Sequence, residues 1–270
     1  MSLAGAQGKF TLARVGDRWF WPTYEVPSTH ILKPPPARKF RGLDALAHAG
    51  LELARRVGVP ATRSSVDDFL GQSVFIAERW DRSGGTRLHA EDMNQALGRP
   101  TADKYTVPAG DIARLLDRHG QAYSFIDQLA FNTALGNCDA HAKNYSVLLA
   151  GDRVAVAPIY DTVTTFLWPH LGTRFAMSVG RASHTAELTE KNWRRLAVSA
   201  ALDADAVCDH AFTAMAAVHA AYGDLVSPLL DGDPARTQLL DDQLSALARA
   251  LPPHCNSAPT PPGPSDGLPP

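Results

Sequence analysis

The run Leu135-Gly136-Asn137-Cys138-Asp139-Ala140-His141-Ala142-Lys143-Asn144-Tyr145-Ser146 constrains this chain more than any other stretch. It is polar, it lies between apolar segments, and it sets Asp139 and Asn144 five positions apart. Asp-x-x-x-x-Asn is the spacing at which a phosphoryl-transfer loop holds a carboxylate for an acceptor hydroxyl and an amide oxygen for Mg²⁺. A short irregular loop can point both side chains into one cavity; a helix or strand at that separation cannot. Residues 145–149 then read as a strand, Ala150-Gly151-Asp152 as a turn and residues 153–157 as a second strand. A hairpin folded at Gly151 sets Tyr145 opposite Ala157 and returns Pro158-Ile159-Tyr160-Asp161 to the neighbourhood of Asn144 and Asp139. Mg²⁺ takes one or two carboxylates and completes its octahedron with water and phosphate oxygens, so Asp161 and Asn144 suffice as metal ligands. A single aspartate in such a loop is more simply a helix or turn cap, but three residues gathered by one hairpin are read as a site.

Composition narrows the class. With 270 residues and 45% hydrophobic content the chain can bury one sizeable core, or two lobes sharing a cleft. A net charge of −2 without a basic block argues against autonomous nucleic-acid binding. Cys138, Cys208 and Cys255 are odd in number and lack metal-ligand spacing, which suggests a reducing compartment. Cys138 with His141 as zinc ligands is disfavoured, because neither C-x-x-C nor H-E-x-x-H is present. With no signal-peptide pattern and no long apolar run, a soluble cytoplasmic protein is expected.

Along the chain, Ala4, Gly5, Ala6, Gln7, Gly8 and Lys9 form a small-residue loop running into a strand over 11–15. Such a loop lets backbone N–H groups approach a polyphosphate, with Lys9 adding charge, although it is not a Walker pattern and a plain turn is its simpler reading. Trp19-Phe20-Trp21-Pro22 reads as a further strand, and residues 29–33 as one closed by Lys33 and stopped by three prolines. Lys33 downstream of a glycine loop suits the α/β-phosphates; an edge lysine in solvent is the alternative. Residues 43–57 have helical periodicity ending at Gly58, and Glu52 on that helix is read as solvated rather than paired with Lys33. A strand over 73–80 ends in Glu78-Arg79-Trp80-Asp81-Arg82, a connector where backbone and an aromatic can hold a purine; ordinary core packing serves equally for Trp80. Asp111 reads as the cap of a helix over 112–119, and further helices are expected over 123–135, 188–202, 204–222 and 234–251. Residues 252–270 are Pro-rich and expected to be a disordered tail.

These segments together resemble the HipA-type serine/threonine kinases, toxin components of bacterial toxin–antitoxin pairs. The likeness spans Ser2 to about Tyr222. It is carried by Ala4-Gly-Ala-Gln7, Glu78-Arg-Trp-Asp-Arg82, Glu91-Asp-Met-x-Gln-Ala-Leu-Gly98, Gly136-x-x-Asp-Ala-His-Ala-Lys-Asn144 and Pro158-x-Tyr-Asp161. The resemblance implies an α+β, two-lobed protein-kinase-like fold. Residues 1–82 would form a truncated N-lobe, and 83–251 a mostly helical C-lobe with the catalytic loop and metal-binding hairpin. It implies ATP with Mg²⁺ and phosphorylation of a protein serine, in some members that of an aminoacyl-tRNA synthetase. Asp139 would be the catalytic base, Asn144 and Asp161 the metal ligands, and Lys33 the α/β-phosphate lysine. His141 and Lys143 would stand beside the phosphates, Glu78, Arg79 and Trp80 would line the adenine pocket with Tyr160 nearby, and residues 4–9 would cover the phosphates. Ser2 would be the autophosphorylated serine. The family's usual partner is a helix-turn-helix antitoxin, through which any DNA contact would run. The chain departs from the family in starting inside the phosphate loop, so the missing subdomain is expected from a separate small protein or not at all. The family's acidic residue early in the first long helix is also not found at Ala47 and His48. Two rival readings stand beside the kinase: a non-catalytic kinase-like subunit that engages an antitoxin, and a small-molecule phosphotransferase.

Overall fold

The computed structural model describes residues 8–230 and 232–253. Ser2, Ala4, Gly5, Ala6 and Gln7 and most of the Pro-rich tail lie outside them. The N-lobe is a five-stranded antiparallel sheet in the order β2-β1-β3-β5-β4. Its strands are β1 (Phe10–Val15), β2 (Arg18–Phe20), β3 (His30–Lys33), β4 (Ser64–Phe69) and β5 (Gln72–Glu78). Strand β4 was not anticipated from the sequence. It is an edge strand, Ser-Ser-Val-Asp-Asp-Phe, with its outer half exposed, so it carries no apolar alternation. Its hairpin with β5 turns on Leu70 and Gly71, both left-handed (φ 56° and 80°).

Helix α1 (Leu43–Arg56) buries Leu43, Leu46, Leu51, Leu53 and Ala54 between the sheet and the C-lobe. It approaches so closely that a Cβ on Gly50 would stand 3.3 Å from Thr162 Cγ2 and 3.5 Å from Leu135 Cδ2. The core therefore crosses the lobes, joining Phe40, Leu46 and Phe75 to Leu129, Leu135 and Tyr222 in one cluster.

The C-lobe opens with a small hairpin, β6 (Arg82–Ser83) and β7 (Thr86–Arg87), followed by β8 (His89–Asp92) and α2 (Met93–Ala96). Strands β9 (Ser146–Ala150) and β10 (Arg153–Val156) complete a three-stranded sheet in the order β10-β9-β8. The rest is helical: α3 (Ala109–Asp117), α4 (Ala122–Leu135), α5 (Glu190–Ala200), α6 (Ala204–Val226) and α7 (Pro234–Ala250). Asp111 is not a cap. Pro108, extended at φ −70° and ψ 139°, starts α3 directly after itself, leaving Asp111 in the first turn, 3.3 Å from Arg114.

The β9–β10 hairpin differs from expectation by one residue. Its turn is only Gly151-Asp152, permitted by the left-handed Gly151 (φ 63°), so Arg153 pairs with Ala150. Ala157 then faces Ser146, donating its N–H to the Ser146 carbonyl at 2.8 Å, and Tyr145 is freed to bury completely beside Phe125. The strand exit still reaches the cleft. Ile159 donates its N–H to the Pro60 carbonyl and accepts from the Thr62 N–H, each at 2.8 Å, tying the segment before Asp161 to the N-lobe.

Candidate active site

Helix α4 is buried almost throughout and ends at Gly136, left-handed at φ 72°. A Cβ there would lie 2.4 Å from the Phe166 ring, so the abrupt exit into the polar loop requires glycine. Asn137 shapes that loop. Its amide nitrogen donates to Asn132 Oδ1 at 2.9 Å, while its Oδ1 accepts the Asp139 N–H at 3.2 Å. Thr162 donates to the same Asn132 oxygen at 3.1 Å, so one buried amide cluster fixes the Asp139 loop and the chain just past Asp161.

Asp139, Asn144 and Asp161 line one narrow cavity of about 60 Å³ with Lys9, Lys33 and Asp44. Asn144 Nδ2 donates to Asp161 Oδ2 at 3.1 Å, and Lys33 Nζ reaches Asp161 Oδ1 at 3.1 Å from above the Phe75 ring. Burial would raise the Asp161 pKa, but Lys33, with Lys9 adding charge, outweighs it and holds the carboxyl below the usual carboxylate range. Asn144 Oδ1 is buried and has no hydrogen-bond partner among the described residues. An orphaned amide oxygen beside a carboxylate fits a hard cation with oxygen ligands. No group of three His, Cys, Asp or Glu side chains converges as a metal cage among the described residues, so phosphate oxygens and water would complete the shell.

His141 is buried, and neither ring nitrogen has a partner among the described residues. Burial first, and Lys104 second, lower its pKa, so the ring is neutral near pH 7. Lys143 stands elsewhere than expected. Its ammonium meets Asp92 at 2.6 Å, and it lines a second cavity of about 260 Å³ rather than the cavity of Asp139 and Asp161. Asp92 caps α2 by accepting the Gln95 N–H at 3.0 Å, which fixes the lysine's partner.

The second cavity collects Ile31, Ala77, Glu78, Arg79, Trp80 and Tyr160. Trp80 packs on Tyr160 with ring centroids 5.4 Å apart, so it lines the cavity and packs at once. Arg79 does not reach into free space. It forks onto Asp81 at 2.6 and 2.9 Å, Arg82 adds a contact at 2.8 Å, and the connector between the lobes is held stiff. Although burial acts the other way, the two guanidiniums lower the Asp81 pKa. The Tyr160 hydroxyl, its pKa raised by burial, bonds Ser146 Oγ at 2.9 Å and the Lys143 carbonyl. Glu52 pairs with Arg55. Cys138 is no reactive thiol, because burial pushes its pKa up to about 11.

Two residues escaped the sequence reading. Asp44, buried on the first turn of α1, accepts a hydrogen bond from Ser73 and lines the cavity of Asp139, Asn144 and Asp161. It is an acidic side chain at the start of the first long helix, three residues before Ala47. Tyr105 donates its hydroxyl to Asp139 Oδ1 at 2.6 Å and sets its ring edge-on to His141 at 5.1 Å. No spacing signal links positions 105 and 139.

A small β lobe and a helical lobe around a lysine–aspartate–asparagine cleft define a protein-kinase-like fold. The family model for the HipA-like C-terminal domain matches residues 1–222, and the chain belongs to that family. A Sinorhizobium fredii protein, Y4mE, whose name assigns it provisionally to the kinases, is 34% identical over 214 residues. That match covers 74% of this chain and 51% of the relative. The serine/threonine-protein kinase toxin HipA of Shewanella oneidensis is 26% identical over 66% of this chain and 46% of its own. The chain thus spans about half the length of the curated relatives it matches. Among solved structures, HipA from the Shewanella oneidensis complex of HipA, HipB and operator DNA superposes with a TM-score of 0.79 at 19% identity, covering 96% of this chain and 68% of that one. The Helicobacter pylori proinflammatory kinase CtkA does so at 0.55 and 11%, covering 91% and 92%.

Proposed function

We propose that the chain transfers the γ-phosphoryl group of ATP, with Mg²⁺, to a serine or threonine of a protein, as the toxin half of a toxin–antitoxin pair. The observation that carries this reading is the orphaned Asn144 oxygen beside Asp161, in one cavity with Asp139 and Lys33. Lys33 and Lys9 neutralise phosphate charge, and Asn144 and Asp161 would hold the metal, which would supply further charge neutralisation. In the transfer, the acceptor oxygen bonds the γ-phosphorus as the bond to the bridging oxygen breaks. Asp139 takes the acceptor proton and ADP leaves. Ile31, Ala77, Trp80 and Tyr160 offer an apolar slot for the purine. His141, with no partner for either ring nitrogen among the described residues, is suited to a phosphate oxygen.

The family likeness supports an aminoacyl-tRNA synthetase as the acceptor protein. Similarity to a HipA crystallised with HipB and operator DNA supports a helix-turn-helix antitoxin as the partner. A cytoplasmic location follows from those partners; among the described residues no helix is long and apolar enough to cross a membrane. The test is incubation with γ-labelled ATP in a cell lysate, followed by mapping of labelled proteins. Asp139→Asn is expected to lower labelling by about 10²–10⁴-fold, the usual worth of a positioned base. Full labelling by that variant would contradict the assignment, and label on free metabolites instead of proteins would favour a small-molecule phosphotransferase.

A further inference from the structure

Tyr105 stands at the end of a groove of about 650 Å³ that the catalytic chemistry does not use. The groove lies between the 105–110 segment, the 176–181 segment and α5. Its lining includes the apolar Val107, Met177 and Val198, the last 78% exposed, and two arginines, Arg181 and Arg195. No aspartate or glutamate is among its described lining residues. In a chain of net charge −2, this is a local concentration of positive charge.

Two features make it more than a crease. The Tyr105 hydroxyl donates to Asp139 Oδ1 at 2.6 Å, the position an acceptor hydroxyl would take, so a residue lining the groove also touches the proposed catalytic carboxylate. Arg181 is also held in an unfavourable backbone conformation. It sits at φ 91° after Gly180 at φ 49°, at the tip of a two-residue turn closed by Val179 and Ala182 at 2.8 and 3.0 Å. Both turn positions suit glycine. Gly180 is required by packing, since a Cβ there would lie 2.0 Å from the Asn192 carbonyl oxygen on α5. Arg181 has no such reason: it is exposed, and no ion pair holds its guanidinium among the described residues. A left-handed non-glycine residue presenting a charge at a groove is strain of the kind found at ligand sites.

We infer that this groove seats the polypeptide segment carrying the acceptor hydroxyl, and that Arg181 and Arg195 select acceptors flanked by aspartate or glutamate. The inference rests on the phosphoryl-transfer reading and deepens it. The apolar floor favours a peptide over an RNA strand, which would need stacking surfaces and more cations. Tyr105 then marks the acceptor position and must yield it when the segment enters.

The first readout needs no turnover. Fluorescent serine-centred peptides flanked by Asp and Glu, their Lys counterparts, and a labelled RNA oligonucleotide are titrated against the full chain by anisotropy. The acidic peptide is expected to bind about tenfold more tightly than the basic one, equivalent to about 1.4 kcal/mol. That preference should disappear in Arg181→Gly, which removes the charge while relieving the left-handed strain, and survive in Arg181→Lys. Melting temperatures of both variants exclude misfolding as the cause. Equal binding of the two peptides, an acidic preference untouched by Arg181→Gly, or binding of the RNA alone would overturn the inference. Peptide selectivity without phosphoryl transfer would sink only the kinase reading; transfer indifferent to acidic flanks would sink only this one.

Discussion

His141 shows how a single buried side chain records the chemistry around it. Burial and Lys104 hold its pKa below the ordinary imidazole value, so the fold disfavours the protonated ring. For a group whose folded pKa is depressed in this direction, the unfolded chain binds the proton more readily, and stability is lost as pH falls through about 6.5. Lowering the pH from 7.5 to 5.5 should therefore lower the melting temperature, and His141→Gln, neutral at both values, should show a smaller drop. Equal drops in the two proteins would mean that His141 pays no protonation cost in the fold. At this scale much of the site was legible. Asp139, Asn144 and Asp161 are polar residues in a loop–hairpin pattern that gives away its own geometry. Tyr105 was invisible because its contact with Asp139 is purely tertiary, and Lys143 was misdirected because only the structure brings Asp92 to it.

At the scale of elements, α1 decides whether the cleft exists. It rests on Thr162, the residue after Asp161, so closely that a Cβ on Gly50 would be tight at 3.3 Å. Gly50→Leu should destabilise the protein by about 1–3 kcal/mol, the usual cost of overpacking. By lifting α1 from Thr162 it should also weaken nucleotide binding. Gly50→Ala should be close to neutral, because better helix propensity offsets a 3.3 Å contact. Denaturant melts and nucleotide titrations of the two variants check this; a neutral leucine would show that α1 does not bear on the site. The long helices were readable from apolar periodicity, the four-residue α2 was not, and β1, β3, β5 and the β9–β10 ribbon were readable from apolar runs between turn residues. Strand β4 was not, since a polar edge strand has no pattern of its own, and the one-residue register of the ribbon depended on how tightly Gly151 turns.

Across the whole molecule, a main core spanning both lobes and the pairing of Ile159 with Pro60 and Thr62 make the cleft a fixed feature rather than a meeting of two loose halves. The proposed function rests on a metal-dependent nucleotide site built from Asn144 and Asp161. The direct test is titration of a fluorescent ATP analogue with and without Mg²⁺, in the wild-type chain and in Asn144→Leu, which keeps the shape but lacks the amide oxygen. Wild-type binding should strengthen on adding Mg²⁺, and the variant should lose that gain, about tenfold or 1.4 kcal/mol. Affinity indifferent to Mg²⁺ in the wild type, or an undiminished Mg²⁺ effect in Asn144→Leu, would contradict the account.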